Sequence, residues 1–230
     1  MFRPDVRAAA ILPVKRFDSA KQRLAEALGA GCRAALAAAM FSDVIGALEH
    51  TSTVDTIIVV SGDRQVRDVV AGRDVVLIED PVEKGQSHAA RAGLARASAL
   101  GCDRAALVPS DCPLLQPAEL DGIVAASAGA EVVIVPDRHG TGTNALVIDP
   151  AGSFEPQFGP DSLRRHTEQA ERRGLSYSVE RPHSLTLDID TGDDLAALAV
   201  ALERSHGHAP RTRGVLRQIE RTRNSGSVAA

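Results

Sequence analysis

Two aspartates one residue apart, Asp188 and Asp190 in LTLDIDTGDD, are the pair best suited to chemistry in this sequence. The apolar pattern around them predicts a strand over residues 185–189, and side chains two apart on a strand face the same way. Two carboxylates held about 4 Å apart repel by roughly 4 kcal/mol at an effective dielectric near 20. A cation removes that penalty, and magnesium favours one or two carboxylates together with phosphate oxygens of a substrate. The plainer alternative is that Asp190 only precedes a helix and gains from its dipole. Asp193 and Asp194 suit that role better, because they fall in the first turn. Asp111, in VPSDCPLL, directly follows an apolar run. Position alone leaves it balanced between a metal ligand and a solvated loop residue.

The basic residues point to phosphate. Lys15, Lys21 and Lys84 are the only lysines in a chain that otherwise uses arginine, and a compact ammonium suits a polyphosphate. In LPVKRFDSAKQRL, Lys15 lies at a predicted strand exit and Lys21 near the start of a helix expected from about Asp18. Amides at that helix start would add partial positive charge. The Gly-rich element of a Walker loop is absent. Lys84-Gly85-Gln86-Ser87 precedes another helix. RHGTGTN (residues 138–144) could present N–H and hydroxyl groups to an anion, and FGPDSLRRH places Gly159 and Ser162 at a helix start. Ordinary turn chemistry would also account for both, with Asp161 capping the helix. The histidines, His139 and His166 among them, form no ligand-spaced cluster and read as polar surface or packing residues.

The elements that must position these residues alternate. Strands are predicted over residues 8–14, 56–60, 74–78, 105–108, 131–135, 145–148 and 185–189, with an extended segment over 175–179. Helices are expected over 30–50, 86–100, 117–128 and 162–173. Thr191 and Asp194, spaced as a capping box, begin a last helix reaching about Glu203. This order implies βαβ units and a mainly parallel sheet covered on both faces, with ligands beyond the carboxyl ends of the strands. Residues 1–204 form one domain in this reading, and residues 205–230 a basic, mobile tail with at most a short helix over 215–221.

Bulk properties narrow the function. The 230 residues are 44% hydrophobic and 24% charged, with a formal net charge of -4. With no Trp, one Tyr and five Phe, the chain lacks both the basic surplus and the aromatic platforms of nucleic-acid binders. No stretch approaches the roughly 20 apolar residues of a membrane span, and no signal peptide is evident, so a cytoplasmic protein is expected. Cys32, Cys102 and Cys112 suggest reduced, buried thiols rather than disulfides or a zinc site.

Taken in order, LPVKRFDSAKQRL, DPVEKGQSHAA, VPSDCPLL, GTGTNAL, FGPDS and LDIDTGDDL resemble the phosphoenolpyruvate and 2-phospho-L-lactate guanylyltransferases of deazaflavin coenzyme biosynthesis. The resemblance runs from about residue 8 to 204. It implies a Rossmann-like nucleotidyltransferase (GT-A-like) fold, a three-layer α/β sandwich with a mixed, mainly parallel sheet. It also implies use of magnesium and GTP, with a small phosphorylated carboxylic acid as acceptor and pyrophosphate as product. On this resemblance Asp111, Asp188 and Asp190 hold the metal, and Lys15 and Lys21 face the triphosphate. Lys84 and Gly85 lie near the nucleotide, and Thr143, Gly159 and Ser162 contact the acceptor phosphate. The chain departs from the family at Gly85-Gln86-Ser87, where GLN is common, and at Cys112, where an apolar residue is common. Phosphoenolpyruvate is the expected acceptor, then phospholactate or 3-phosphoglycerate. Rival readings are a nucleotidyltransferase using CTP or a sugar-phosphate or molybdopterin acceptor, and a non-catalytic nucleotide-binding domain. A homodimer is left open.

Overall fold

The computed structural model describes residues 6–80, 82–205 and 207–227. Strand β1 (Ala8–Pro13) leads through turns to α1 (Ala30–Leu48), β2 (Thr56–Ser61), α2 (Arg64–Val70), β3 (Val75–Glu79) and α3 (Gln86–Ala99). Then follow β4 (Arg104–Leu107), α4 (Pro117–Ala126), β5 (Val132–Pro136), β6 (Thr143–Ile148) and α5 (Ser162–Arg173). Strand β7 (Tyr177–Val179), α6 (Gly192–Arg204) and α7 (Pro210–Ser227) are the last elements of the described residues. The seven strands form one sheet in the order β3-β2-β1-β4-β6-β5-β7. Only β6 runs against its neighbours β4 and β5; every other pairing is parallel. This is the mixed, mainly parallel sheet expected from the alternating pattern.

Strand β1 shows why its sequence is an unbroken apolar run. Ala8, Ala10 and Leu12 enter one layer with Phe41, Val44 and Ile45 of α1, and with residues of α2 and α4. Ala9 and Ile11 enter the opposite layer with Ala90 and Leu94 of α3. A parallel strand covered on both faces needs apolar residues at every position. Helix α3 crosses β1 so closely that a Cβ on Gly93 would strike the Ile11 Cγ2 methyl. Because β6 is antiparallel, its first residue, Thr143, lies beside Pro136 at the end of β5. That places it at the edge where the parallel strands finish.

Four sequence expectations are corrected. The helix from Asp18 does not form: residues 17–21 are turns, Lys21 adopts a left-handed conformation (φ 57°), and a single 3-10 turn spans Gln22–Leu24. No helix-start amides therefore lie there. The strand expected over 185–189 does not form: a 3-10 turn spans His183–Leu185. Residues 187–190 have no regular structure, lie outside the sheet and join residue 111 by the bond from Ile189 N–H to the Asp111 carbonyl at 3.2 Å.

The third correction concerns the segment read as a mobile tail. Residues 210–227 are helical, and Ile219 of α7 packs with Leu36 and Met40 of α1 and Leu198 and Leu202 of α6. Asp43, buried within α1, accepts bonds from the Arg211 amide (3.1 Å) and the Thr212 amide (2.8 Å), capping α7 from another helix. The fourth follows from it. With a mean hydropathy of 1.4, α1 is long and apolar enough by length and composition to cross a membrane. Its apolar character has a packing cause: one side faces the sheet and the other faces α6 and α7.

Candidate active site

A cleft of about 450 Å³ opens at the carboxyl ends of the parallel strands. Lys15, Lys21, Asp111, Asp188 and Asp190 line it, as do Gly85 and Thr143. Its size suits a nucleotide-sized ligand. Lys84 is exposed and does not line the cleft, and Gly159 and Ser162 also lie outside its lining.

The floor is a cluster of opposed charge. The Lys21 ammonium donates to Asp111 Oδ2 and to Asp190 Oδ1, the latter at 2.9 Å. Only 7% of the Lys21 side chain is exposed. Burial opposes its charge, yet the two carboxylates outweigh that and hold its pKa above the ordinary lysine value. Asp188 is pushed up to about 6, first by burial and then by the charges of Asp111 and Asp190. A hydrogen bond from Asn144 Nδ2 to Asp188 Oδ1 at 3.2 Å works in the opposite direction. Asp188 and Asp190 thus face one volume even though they are not on a strand. Ile189 between them points the other way, into the apolar layer with Leu24 and Leu36.

Asp190 is held from behind. Asp194 Oδ2 accepts from the Asp190 and Thr191 amides (3.1 and 2.7 Å) and from the Thr191 hydroxyl (2.8 Å), completing the expected capping box. Arg138, reaching over from the β5–β6 loop, pairs with Asp194 Oδ1 at 2.7 Å. Burial alone would raise the Asp194 pKa, but these bonds and Arg138 hold it below the usual carboxylate value.

The donor set suits a hard divalent cation. Three carboxylates share one neighbourhood, and Lys21 already lies between two of them. Among the described residues no group of three His, Cys, Asp or Glu is arranged to hold a metal unaided. Magnesium bound through one or two carboxylates, with phosphate oxygens filling its shell, requires no such cage.

The surrounding loops are built for shape. Gly85 adopts φ 100° immediately before α3, a conformation that favours glycine, and so brings the α3 N-terminus to the cleft. Gly159 has φ 116°, and its segment closes on the rim: Phe158 N–H donates to Ser87 Oγ (2.9 Å) and Leu163 N–H to the Thr141 carbonyl (3.2 Å). Two expectations fail here. The Thr141 and Gly142 amides are not offered to a ligand, because the Asp137 carboxylate accepts both at 2.9 Å. Asp161 occupies the N-cap position of α5 in a left-handed conformation but makes no side-chain cap.

Three residues outside the predicted set matter. Asn144 contacts Asp188, Arg138 braces the Asp190 turn, and His166 bonds Thr143 at 3.0 Å. His166 had a sequence signal. Ser162, His166 and Gln169 recur at helical spacing on the buried face of α5, where polar residues require partners.

The family model for CofC-like guanylyl transferases matches residues 8–227. A phosphoenolpyruvate guanylyltransferase from Conexibacter woesei is 45% identical over 215 residues, covering 93% of this chain and 96% of that one. A 2-phospho-L-lactate guanylyltransferase from Methanothermobacter thermautotrophicus is 33% identical over 217 residues, covering 94% and 93%. Among solved structures, a nucleotidyl transferase from Methanothermobacter thermautotrophicus superposes with a TM-score of 0.66 at 19% identity, over 87% of this chain and 99% of that one. A 4-diphosphocytidyl-2C-methyl-D-erythritol synthase from Anaerococcus prevotii gives 0.59 at 12% identity, over 86% and 96%.

Proposed function

From the premise that the chain belongs to the CofC-like guanylyl transferase family, we propose that it transfers GMP from GTP to phosphoenolpyruvate. The products are enolpyruvyl-diphospho-guanosine and pyrophosphate. The geometric observation that carries the chemistry is the convergence of Lys15, Lys21, Asp111, Asp188 and Asp190 in one cleft. The choice of guanine and of acceptor rests on the relatives, led by the 45% identical phosphoenolpyruvate enzyme.

In this reading an oxygen of the acceptor phosphate attacks the α-phosphorus of GTP. The bond from that phosphorus to the bridging oxygen breaks, and pyrophosphate leaves with the electron pair. The attacking oxygen is anionic near neutral pH, so no general base is required; alignment and charge neutralisation are. Lys15, at the mouth of the cleft, and Lys21, at its floor, offset charge on the departing pyrophosphate. Asp111, Asp188 and Asp190 would hold magnesium, which supplies charge neutralisation at the phosphate oxygens. Asp194 and Arg138 keep the Asp190 turn in place.

The experiment is pyrophosphate release by purified protein with magnesium, using each of four nucleoside triphosphates against phosphoenolpyruvate, 2-phospho-L-lactate and 3-phosphoglycerate. GTP with phosphoenolpyruvate is expected to give the highest kcat/KM. Preference for phospholactate would favour the second reading, which the 33% identical relative supports. Absence of turnover with every pair would sink the assignment.

A further inference from the structure

We propose that His166 is a positioning residue that fixes the Thr143 hydroxyl as a hydrogen-bond donor towards the anionic acceptor. The proposal rests on the acceptor reading given above and names how that site selects an anion. His166 lies on the buried face of α5 and is 0% exposed. Its ring neighbours Phe154 and Phe158, each with its centroid 5.7 Å away.

The hydrogen-bond geometry determines which ring nitrogen carries the proton. The Gln157 backbone N–H, which can only donate, points at Nε2 from 2.8 Å. Nε2 must therefore be the unprotonated nitrogen, and the proton of the neutral ring resides on Nδ1. Nδ1 is 3.0 Å from Thr143 Oγ1, so the ring donates to the hydroxyl oxygen. Burial keeps the ring neutral, with a pKa lowered to about 4.

Consequences follow for Thr143. A hydroxyl has one proton to donate and lone pairs to accept with. His166 engages a lone pair, and no other side-chain hydrogen bond to Thr143 is present among the described residues. Thr143 lines the cleft, and because the protonated Nδ1 cannot accept, its O–H remains free to donate to a ligand there. An ionised phosphate is purely an acceptor, so a hydroxyl whose proton the neighbouring ring cannot take matches it.

The test combines a spectroscopic and a kinetic arm. Long-range 1H–15N correlation spectra of the ligand-free, full-length protein should show His166 as the Nδ1–H tautomer. An Nε2–H tautomer overturns the proposal whatever the enzyme turns over. In kinetics, His166→Phe should raise the acceptor KM about tenfold or more and leave the GTP KM within about twofold, as expected for one lost hydrogen bond to a charged group. His166→Asn, whose Nδ2 can stand near the Nδ1 position, should recover most of that loss. A packing role predicts the reverse order, because Phe fills the space and Asn does not. In a Thr143→Val background, His166→Phe should add nothing; an undiminished effect there overturns the proposal. Should His166→Phe fail to fold, the tautomer and His166→Asn decide. If the tautomer is Nδ1–H and the wild type turns over no acceptor, the acceptor reading falls and the hydrogen-bond assignment stands.

Discussion

The Lys21 ammonium lies 2.9 Å from Asp190 Oδ1, across 169 positions of sequence, and the same nitrogen donates to Asp111. Lys21 thus lies between two of the carboxylates that hold magnesium in the function proposed above. Replacing it has two opposite consequences. Lys21→Met should bind magnesium more tightly than wild type, because the competing cation is gone. Its kcat should fall about 10²-fold or more, because one charge on the leaving pyrophosphate is unopposed. Calorimetric magnesium titration and pyrophosphate-release kinetics check the two halves; weaker magnesium binding would contradict the first.

Asp188 offers a stability test with an unusual sign. Its folded pKa, about 6, lies above the ordinary carboxylate value. Between those two pH values the folded state holds more protons than the unfolded state, so the contribution of Asp188 to stability declines as pH rises through that window. At pH 7 the ionised group is a net cost in the ligand-free protein. Asp188→Asn keeps an oxygen for Asn144 and removes the charge, so the ligand-free variant should be about 1–3 kcal/mol more stable at pH 7. It should also lose magnesium-dependent stabilisation and turnover. Urea denaturation with and without magnesium measures this; a destabilised ligand-free variant would refute it.

Much of this arrangement was legible from residue types. The runs at β1, β2 and β5 are apolar at successive positions because both faces are covered, and the capping box at Thr191 and Asp194 is a local signal that tertiary context did not override. The failures are non-local. Lys21 lies at a turn with φ 57°, which no propensity forecasts. The apolar residues Val215, Leu216 and Ile219 of α7 had no visible partner until α1 presented its second apolar side. The segment around Asp188 alternates like a strand because Ile189 is buried while its neighbours face the cleft. Alternation reports which way side chains point, and a segment outside a sheet produces it equally well.

Helix α7 depends on a cap supplied by another helix. Asp43 accepts the Arg211 and Thr212 amides from a buried position, so Asp43→Ala leaves both donors unsatisfied. The variant should lose about 1–3 kcal/mol. Amide exchange should quicken first in residues 210–222, and slow exchange there at the wild-type rate would show that the cap is dispensable. Asp43→Asn retains acceptor capacity and should lose less. The active-site cleft does not include α7, so kcat should change little in either variant that remains folded.

His166 gives the chain a dependence on acid that a single substitution can isolate. Its pKa in the fold, about 4, lies below the ordinary 6.5, with burial as the main cause and the neighbouring Arg165 charge as the second. Between these values the unfolded chain binds a proton that the folded chain refuses. Stability from this group is therefore complete above about pH 6.5 and is lost as pH falls towards 4; below that both states are protonated and the loss stops. The span corresponds to about 3 kcal/mol. His166→Phe should begin less stable at pH 7, since the Gln157 amide and the Thr143 hydroxyl lose their partner. It should then lose less between pH 7 and 4.5 than wild type does. Urea midpoints at the two pH values measure the difference between the chains, which cancels the other titrating groups, Asp188 included. Equal losses in the two proteins would mean that His166 takes up a proton in the fold as readily as in the unfolded chain.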